Sequence, residues 1–301
     1  MQKTLISIIG STGIGKTKLA IEMAKHFGTE IISCDSRQFF KEMKIGTATP
    51  TDEELAQTKH HFIGHLSVQD YYSIGQYEED ALEKIEEIFE ENDFSVLVGG
   101  SMMYEKAVVE GLNDLPEANA ENQEKLQKIL DEEGLEKLQE ILKNLDEEYY
   151  NVVHKENPRR LLRAIDVIWQ TGRKYSEIIA EPKHKRDFKV IRIGITAPRE
   201  IMYERINLRV DKMLENGLID EVKSLTEYQK LVPLQTVGYT EIFKYLEGTW
   251  DLDFAIEEIK KNSRRYAKRQ ETWNRKVENV TWLPYDYSEE QLDEILSKIE
   301  K

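Results

Sequence analysis

Short apolar runs alternate with helical periodicities in the first part of the chain. Leu5–Ile9, Ile31–Cys34 and Val96–Val98 are apolar runs that predict buried strands. Apolar positions recur at helical spacing through Thr17–Phe27 and again through Leu82–Phe89, which predicts two amphipathic helices. This alternation is typical of α/β proteins with a doubly wound parallel sheet, whose ligands lie beyond the carboxyl ends of the strands.

The pattern changes between residues 113 and 185. Strand signals disappear there, and helical periodicities follow one another through Gln123–Ile129, Leu135–Leu142 and Pro158–Trp169. Strand character returns at Val190–Ile195, and a helical region over residues 199–275 precedes a last predicted strand at Val280–Leu283. We therefore predict a core formed by residues 1–112 and 186–301, interrupted by an all-helical insertion domain at residues 113–185.

Composition places the chain among folded cytoplasmic proteins. Its 301 residues are 40% hydrophobic, enough to bury a core. No apolar run reaches the length of about eighteen residues that a membrane span needs, and the N-terminus lacks the features of a secretory signal. The single cysteine, Cys34, excludes an internal disulfide.

The formal net charge of −15 argues against a nucleic-acid partner, but the charges are segregated. Acids concentrate in Glu78–Glu91 and Asp131–Glu148, whereas residues 260–276 hold eight Lys or Arg against one acid, Glu271. Six of these cations recur at helical spacing: Lys260, Lys261, Arg264, Arg265, Lys268 and Arg269. The spacing predicts a basic stripe on one helix that suits a polyanion. Tyr266 and Trp273 lie between these cations and either stack on bases or pack in the core.

A phosphate-binding loop follows the first predicted strand. The pattern GxxxxGK[ST] is matched by Gly10, Ser11, Thr12, Gly13, Ile14, Gly15, Lys16 and Thr17. In such a loop backbone amides surround a diphosphate, the lysine adds a positive charge, and the Thr17 hydroxyl is placed to ligate Mg²⁺. We predict an α/β fold in which a P-loop doubly wound parallel sheet core carries the all-helical insertion domain.

The carboxylate that accompanies this loop comes early in the chain. NTPases usually end a later strand with a metal-holding Asp, but Val96–Val98 runs into Gly99 and Gly100 without an acid. Asp35 instead follows the second predicted strand. It either faces the reacting group or serves structurally as a helix cap or loop anchor.

An ordered set of segments over nearly the whole chain resembles the tRNA dimethylallyltransferases, also called tRNA isopentenyltransferases. These segments are the P-loop, Asp35–Gln38, Ile45–Ala48, His60–Ile63, Gly99–Tyr104, Asn157–Ala164, Thr171–Arg173, Val237–Tyr239 and Tyr266–Trp273. The resemblance implies transfer of a dimethylallyl group from dimethylallyl diphosphate to the exocyclic amine of the adenine at tRNA position 37, just 3′ of the anticodon, with release of pyrophosphate. It also implies Mg²⁺ as cofactor and the tRNA anticodon stem-loop as partner. We expect no membrane partner and a monomer.

The resemblance assigns roles residue by residue. Asp35 would orient the adenine amine and accept its proton, while Lys16, Thr17 and Arg209, the last in Glu204–Arg209, would stabilise the departing pyrophosphate. The flipped adenine would be read near Asp35 by Ser36, Arg37, Gln38 and Ser101. The tRNA contacts would come from Arg159, Arg160, Leu161, Leu162 and Arg163, and from Arg264, Arg265, Lys268 and Arg269 on the basic stripe.

Five positions depart from the family pattern. Ser11 stands where Pro is usual, Ser101 where Thr is usual, Lys44 and Gly64 where Asp is usual, and Thr49 where Lys is usual. Ser101 keeps a hydroxyl, whereas the exchanges at Lys44 and Thr49 bear on tRNA contacts more than on the chemistry.

Three other functions fit parts of the sequence. An ATP-dependent small-molecule kinase would also have a P-loop and an early Asp, but it would not need the helical insertion. A transferase acting on free AMP would not need the basic helix. A phosphate- or RNA-binding module without catalysis would not need Asp35 together with the full P-loop.

Overall fold

The computed structural model describes residues 2–300, and within them six strands form one parallel sheet in the order β3-β2-β4-β1-β5-β6. The strands are β1 (Thr4–Gly10), β2 (Ile31–Ser33), β3 (His60–His61), β4 (Phe94–Val98), β5 (Lys189–Thr196) and β6 (Val280–Pro284). The predicted parallel α/β sheet is thus confirmed, as are the strands foreseen near residues 5, 31, 96, 190 and 280.

Helices cover both faces of the sheet. In the first half of the chain they are α1 (Lys16–Phe27), α2 (Asp52–Leu55), α3 (Ile74–Glu91) and α4 (Met102–Glu110). Next come α5 (Ala120–Glu133), α6 (Leu135–Leu145), α7 (Glu147–Val152), α8 (Pro158–Thr171) and α9 (Tyr175–Ile179). The remaining helices are α10 (Arg199–Glu215), α11 (Leu218–Ser224), α12 (Tyr239–Leu246), α13 (Leu252–Asn274) and α14 (Glu289–Ile299).

The central strands are buried on both faces because alternate residues enter two different cores. Leu5 of β1 and Leu97 of β4 pack with the side of the sheet that holds α3 and α12. Ile6, Ile8 and Val96 pack on the opposite side with α1 and α14. A strand buried on both faces reads as a continuous apolar run, which is why these strands were visible in the sequence.

The chain divides into two compact units. The first comprises the described parts of Met1–Val109 and Arg186–Lys301, and the second comprises Glu110–Lys185. The second unit is formed by helices α5 to α9, as the absence of strand signals predicted. Its apolar core includes Leu126, Leu138 and Leu161, and the buried Asp146 accepts hydrogen bonds from the Ser176 amide and hydroxyl at 2.7 and 2.9 Å.

Two features of the first unit were not predicted. β3 is an edge strand of two residues beside β2, too short to carry a periodicity. The helix α14 packs Ile295, Leu296 and Ile299 against the core near β1. Within residues 2–300 no helix has the length and apolar character required to cross a membrane.

Candidate active site

A cavity of about 1020 Å³ lies in the first unit, beyond the carboxyl ends of β1, β2 and β4. The four residues assigned to catalysis, Lys16, Thr17, Asp35 and Arg209, all line it. Thr12, Gly13, Gly15 and Gln38 line it as well. The structure therefore brings together the phosphate-binding loop, the strand-end carboxylate and the helix arginine, which are far apart in the sequence.

The loop turns into α1 through glycines in the left-handed region, Gly13 with φ 74° and Gly15 with φ 114°. A side chain is strained there, so glycine is required for the turn that aims the loop amides. Gly10, Ser11 and Ile14 of the same loop lie on its other side and line a second cavity of about 180 Å³. Ser11 and Ile14 are buried, so their side chains support the loop rather than face the main cavity.

Lys16 holds its ammonium inside the loop, where Nζ donates a hydrogen bond to the Ser11 carbonyl oxygen at 2.8 Å. Burial lowers the pKa of Lys16 to about 8, an effect opposed by the Asp35 carboxylate and strengthened by the Arg209 guanidinium. An anionic ligand at this position would stabilise the charged ammonium.

Arg209 lies on α10 and donates from Nη2 to the Thr47 carbonyl oxygen at 3.0 Å. Burial lowers the pKa of Arg209 from its ordinary value, and the Asp35 carboxylate opposes this shift. One helical turn earlier, Arg205 donates to the Gly13 carbonyl oxygen at 2.9 Å and also lines the cavity. Sequence reasoning missed Arg205, although its spacing of four residues from Arg209 places both on one face of a helix.

Asp35 anchors its own loop and also lines the main cavity. One carboxylate oxygen, Oδ1, accepts a hydrogen bond from the Arg37 amide at 3.2 Å, which anchors the loop after β2. The other, Oδ2, lies against Gly100, where an added Cβ would come within 2.9 Å of it. A Cβ at Gly99 would lie 2.5 Å from the Cys34 carbonyl carbon. The two glycines let β4 end beside the Asp35 loop, at the position where NTPases usually carry an acid.

The residues around Asp35 form a connected turn. The Ser101 hydroxyl accepts from the Ser36 amide at 3.0 Å and shares a hydrogen bond with the Ser36 hydroxyl at 2.9 Å. Gln38 donates its amide group to the carbonyl oxygens of Thr47 and Ala48, and Arg37 donates to the Val232 carbonyl oxygen at 3.3 Å. Ser36 and Ser101 therefore lie together. Gln38 holds the loop at Thr47 and Ala48, and the Thr47 carbonyl oxygen of this loop also accepts the hydrogen bond from Arg209.

Glu221 of α11 is a further residue that the sequence did not reveal. Its carboxylate accepts from the amides of Ile45 and Gly46 at 2.7 and 2.9 Å and from the Tyr239 hydroxyl at 2.6 Å. Tyr239 also packs on Gly46, where a Cβ would come within 2.5 Å of the ring. Glu221 thus fixes the loop whose Thr47 carbonyl receives Arg209. The Val237–Tyr239 segment was a signal for Tyr239, but nothing local marks Glu221.

The basic stripe on α13 consists of two groups of cations. Lys260 pairs with Asp211 at 2.8 Å and Lys261 with Glu258 at 2.6 Å, while Arg264 donates to the Asn207 side chain at 2.7 Å. The remaining three predicted residues, Arg265, Lys268 and Arg269, are exposed. The stripe is therefore partly occupied by contacts within the protein.

The arginines of the second unit differ in the same way. Arg159 and Arg160 are exposed at the start of α8, whereas Arg163 pairs with the buried Asp166 at 3.2 Å and also donates to the Pro116 carbonyl oxygen. Leu161 is fully buried in the core of this unit and Leu162 packs against that core. A buried side chain cannot contact RNA, which corrects the expectation for Leu161.

Three of the departures from the family pattern have a local structural account. Gly64 has φ 58°, a left-handed conformation that Asp also adopts more readily than most residues. The Thr49 hydroxyl shares a hydrogen bond with the Thr47 hydroxyl at 3.0 Å. The Ser11 hydroxyl faces the Ala267 carbonyl oxygen at 3.5 Å. Lys44 is exposed on the cavity wall.

Known proteins resemble this chain over almost its full length. The family model described as IPP transferase matches residues 38–277. The tRNA dimethylallyltransferase of Christiangramia forsetii is 50% identical over 300 residues, which cover 99% of each chain. The tRNA dimethylallyltransferase 1 of Bacteroides thetaiotaomicron is 46% identical over 97% of this chain and 94% of its own.

Solved structures agree with this result. The tRNA isopentenylpyrophosphate transferase of Bacillus halodurans is 36% identical, with a TM-score of 0.73 over 99% of this chain and 96% of its own. A eukaryotic dimethylallyltransferase acting on tRNA is 27% identical, with a TM-score of 0.86 over 98% of this chain and 79% of its own. The family model matches most of this chain, and relatives that are 46–50% identical match nearly all of it. The chain therefore belongs to the IPP transferase family.

Proposed function

We propose that the protein is a tRNA dimethylallyltransferase. It transfers the dimethylallyl group of dimethylallyl diphosphate to the exocyclic amine of the adenine at tRNA position 37 and releases pyrophosphate. The relatives named tRNA dimethylallyltransferase, which match nearly the whole chain, support this activity.

The observation that carries the proposal is the composition of the main cavity. Lys16 and Arg209 provide positive charge beside the loop amides, and Asp35 provides a carboxylate. The same cavity has apolar wall residues, namely Phe40, Ile45, Leu55, Ile63, Leu208 and Met213. A cationic end next to an apolar wall suits a ligand with a diphosphate head and a hydrocarbon tail.

In the proposed reaction the C1–O bond of the allylic diphosphate breaks and a bond forms between C1 and the adenine amine nitrogen. Charge develops on the leaving pyrophosphate, where Lys16, Arg209 and the loop amides stabilise it. The amine nitrogen loses one proton as the new bond forms, and Asp35 accepts that proton. Lys16, Arg209 and Asp35 all line one cavity.

Mg²⁺ is part of the proposal. Thr17 is at the loop position whose hydroxyl ligates this ion in P-loop proteins, and it lines the cavity. Within the described residues no group of three or more His, Cys, Asp or Glu side chains could hold a metal. Mg²⁺ commonly takes its other ligands from substrate phosphates and water, so Thr17 with a diphosphate fits it. Bound there, the ion would neutralise charge on the leaving pyrophosphate.

The anticodon stem-loop of tRNA is the proposed macromolecular substrate, and exposed cations are proposed to bind its phosphates. In the second unit these are Arg159 and Arg160, and on α13 they are Arg265, Lys268 and Arg269.

A tRNA substrate implies action in the cytoplasm. We further propose a monomer, which sedimentation velocity across a range of protein concentrations would test.

The decisive experiment supplies the protein with bulk tRNA and dimethylallyl diphosphate, then analyses the nucleosides by mass. We expect adenosine that carries an added C5H8, located next to the anticodon, and stoichiometric pyrophosphate. In a parallel arm ATP replaces the prenyl donor and a panel of small acceptors is added. Phosphate transfer in that arm, with no prenylated nucleoside in the first, would establish the kinase alternative instead.

A further inference from the structure

The side chain of Gln270 joins the phosphate-binding loop to the turn beside Asp35. Gln270 is fully buried on α13. Its Oε1 accepts a hydrogen bond from the Thr12 amide at 2.8 Å, and its Nε2 donates to the Gly100 carbonyl oxygen at 2.7 Å. One side chain therefore bridges the loops after β1 and β4.

This contact changes the assignment of the loop amides. The Thr12 amide was predicted to face the diphosphate, but in the structure it donates to Gln270. Further contacts of α13 reinforce the bridge. The Tyr266 hydroxyl donates to the same Gly100 oxygen at 2.9 Å, and Ser11 faces the Ala267 carbonyl. We call the phosphate-binding loop, Gly10–Thr17, together with Gly100 the diphosphate cradle. Three residues on the inner face of α13, Tyr266, Ala267 and Gln270, contact it.

The outer face of the same helix carries Arg265, Lys268 and Arg269, all exposed. Gln270 directly follows Arg269, so the cations and the bridge lie within six consecutive residues of one helix. Helices transmit a displacement along their length because their backbone hydrogen bonds resist local deformation.

We propose that Gln270 is a positioning residue that couples RNA binding on α13 to the shape of the diphosphate cradle. Its side chain is buried behind the cavity lining, where it holds the Thr12 amide and the carbonyl of Gly100, the residue that lies against the Asp35 carboxylate. When RNA binds the outer face and restrains α13, the bridge restrains the cradle, so diphosphate binds more tightly. This coupling rests on the proposed function, because it takes tRNA as the ligand of the outer face.

The test is Gln270→Met, which keeps the length of the side chain and removes both hydrogen bonds. Without the bridge, binding of the diphosphate has to order the loop at Thr12, which costs conformational entropy. The Kd for dimethylallyl diphosphate should therefore rise about tenfold, which corresponds to about 1.4 kcal/mol. The diphosphate is titrated calorimetrically with and without an anticodon stem-loop RNA. The coupling ratio is the Kd without RNA divided by the Kd with RNA. We expect this ratio to be clearly above one for the wild type and close to one for the variant, while the affinity for RNA alone is unchanged.

Asn274→Met is the matched control, because Asn274 is buried one turn further along α13 and its side chain makes neither contact. It should retain the coupling. Hydrogen exchange provides a second measurement on the folded protein. Gln270→Met should accelerate exchange in the peptide that contains Thr12, and Asn274→Met should not. If Gln270→Met does not fold by circular dichroism, Gln270→Ala replaces it. The shorter, uncharged side chain reaches neither Thr12 nor Gly100, so faster exchange at Thr12 and a reduced coupling ratio are again the expected results.

The outcomes separate the inference from the proposed function. A wild-type protein that binds neither the diphosphate nor the RNA would contradict the proposed function. A wild type that binds both, together with a folded Gln270→Met variant whose Kd ratio and loop exchange are unchanged, would overturn the coupling role alone. A wild-type ratio of one would also overturn it.

Discussion

The charge of Lys16 gives the site a pH dependence that can be measured directly. Burial lowers the pKa of Lys16 to about 8, below the ordinary value of 10.5. In the unliganded protein the neutral amine is therefore the main form of Lys16 above a pH of about 8. A diphosphate binds the charged form, so its affinity should fall as pH rises through 8 and should be greatest below it.

The size of the effect follows from the pKa. With a value of about 8, about three quarters of Lys16 is protonated at about pH 7.5 and about 3% at about pH 9.5. If bound diphosphate keeps the ammonium charged over this range, its Kd should rise about 25-fold between the two conditions. Phosphate groups lose their last proton near pH 6, so the ligand contributes little to this change. His60 also lines the cavity, but burial lowers its pKa, so it is already neutral.

The assay is calorimetric titration of dimethylallyl diphosphate at several pH values and constant ionic strength, without RNA. Lys16→Arg is the control, because a guanidinium stays charged throughout and its Kd should be nearly independent of pH. Lys16→Met should bind weakly and also without pH dependence. An unchanged wild-type Kd across the range, or an equal pH dependence in Lys16→Arg, would refute the assignment of the titration to Lys16.

Three further predictions concern other parts of the site. Asp35→Asn should retain tRNA affinity but lose about two to four orders of magnitude in single-turnover rate, as the loss of a general base implies; a rate close to the wild type would make Asp35 structural. Glu221→Gln should raise the Kd for the diphosphate about three- to tenfold through the loop that holds Arg209, since a hydrogen bond contributes a net of about 0.5–1.5 kcal/mol, whereas Asp220→Asn, an exposed neighbour on α11, should have no effect. Arg159→Ala with Arg160→Ala should reduce the slope of log K against log salt for tRNA binding by about one per lost phosphate contact; filter binding at several salt concentrations checks this, and an unchanged slope would remove α8 from the RNA surface.

Much of the fold and the main parts of the site were predictable because they depend on local signals. Buried parallel strands are apolar runs, amphipathic helices have a period, and the P-loop combines both with a fixed spacing. The resemblance then placed Asp35 and Arg209, and the structure brings them into one cavity with Lys16. The family prediction is confirmed by the comparisons.

What could not be predicted depends on contacts between distant residues. Gln270 reaches Thr12 and Glu221 reaches Ile45, and no local pattern marks either pair. Leu161 was a different error, because a signal existed. Leu161, Ile165 and Ile168 recur at helical spacing, which predicts that Leu161 faces the core of the unit and not RNA.

The segregation of charge on α13 explains how an acidic protein can bind a polyanion. Lys260 and Lys261 are neutralised by Asp211 and Glu258, so they add little to the field outside the protein. Arg265, Lys268 and Arg269 are exposed, and none of the carboxylates in residues 2–300 pairs with them. Association with RNA depends on the potential at such a patch and not on the net charge, because acids more than about 10 Å away are screened at physiological salt. Acidic regions of the surface therefore disfavour nonspecific association. The exposed cations of α13, like Arg159 and Arg160 of α8, provide local surfaces that attract phosphate.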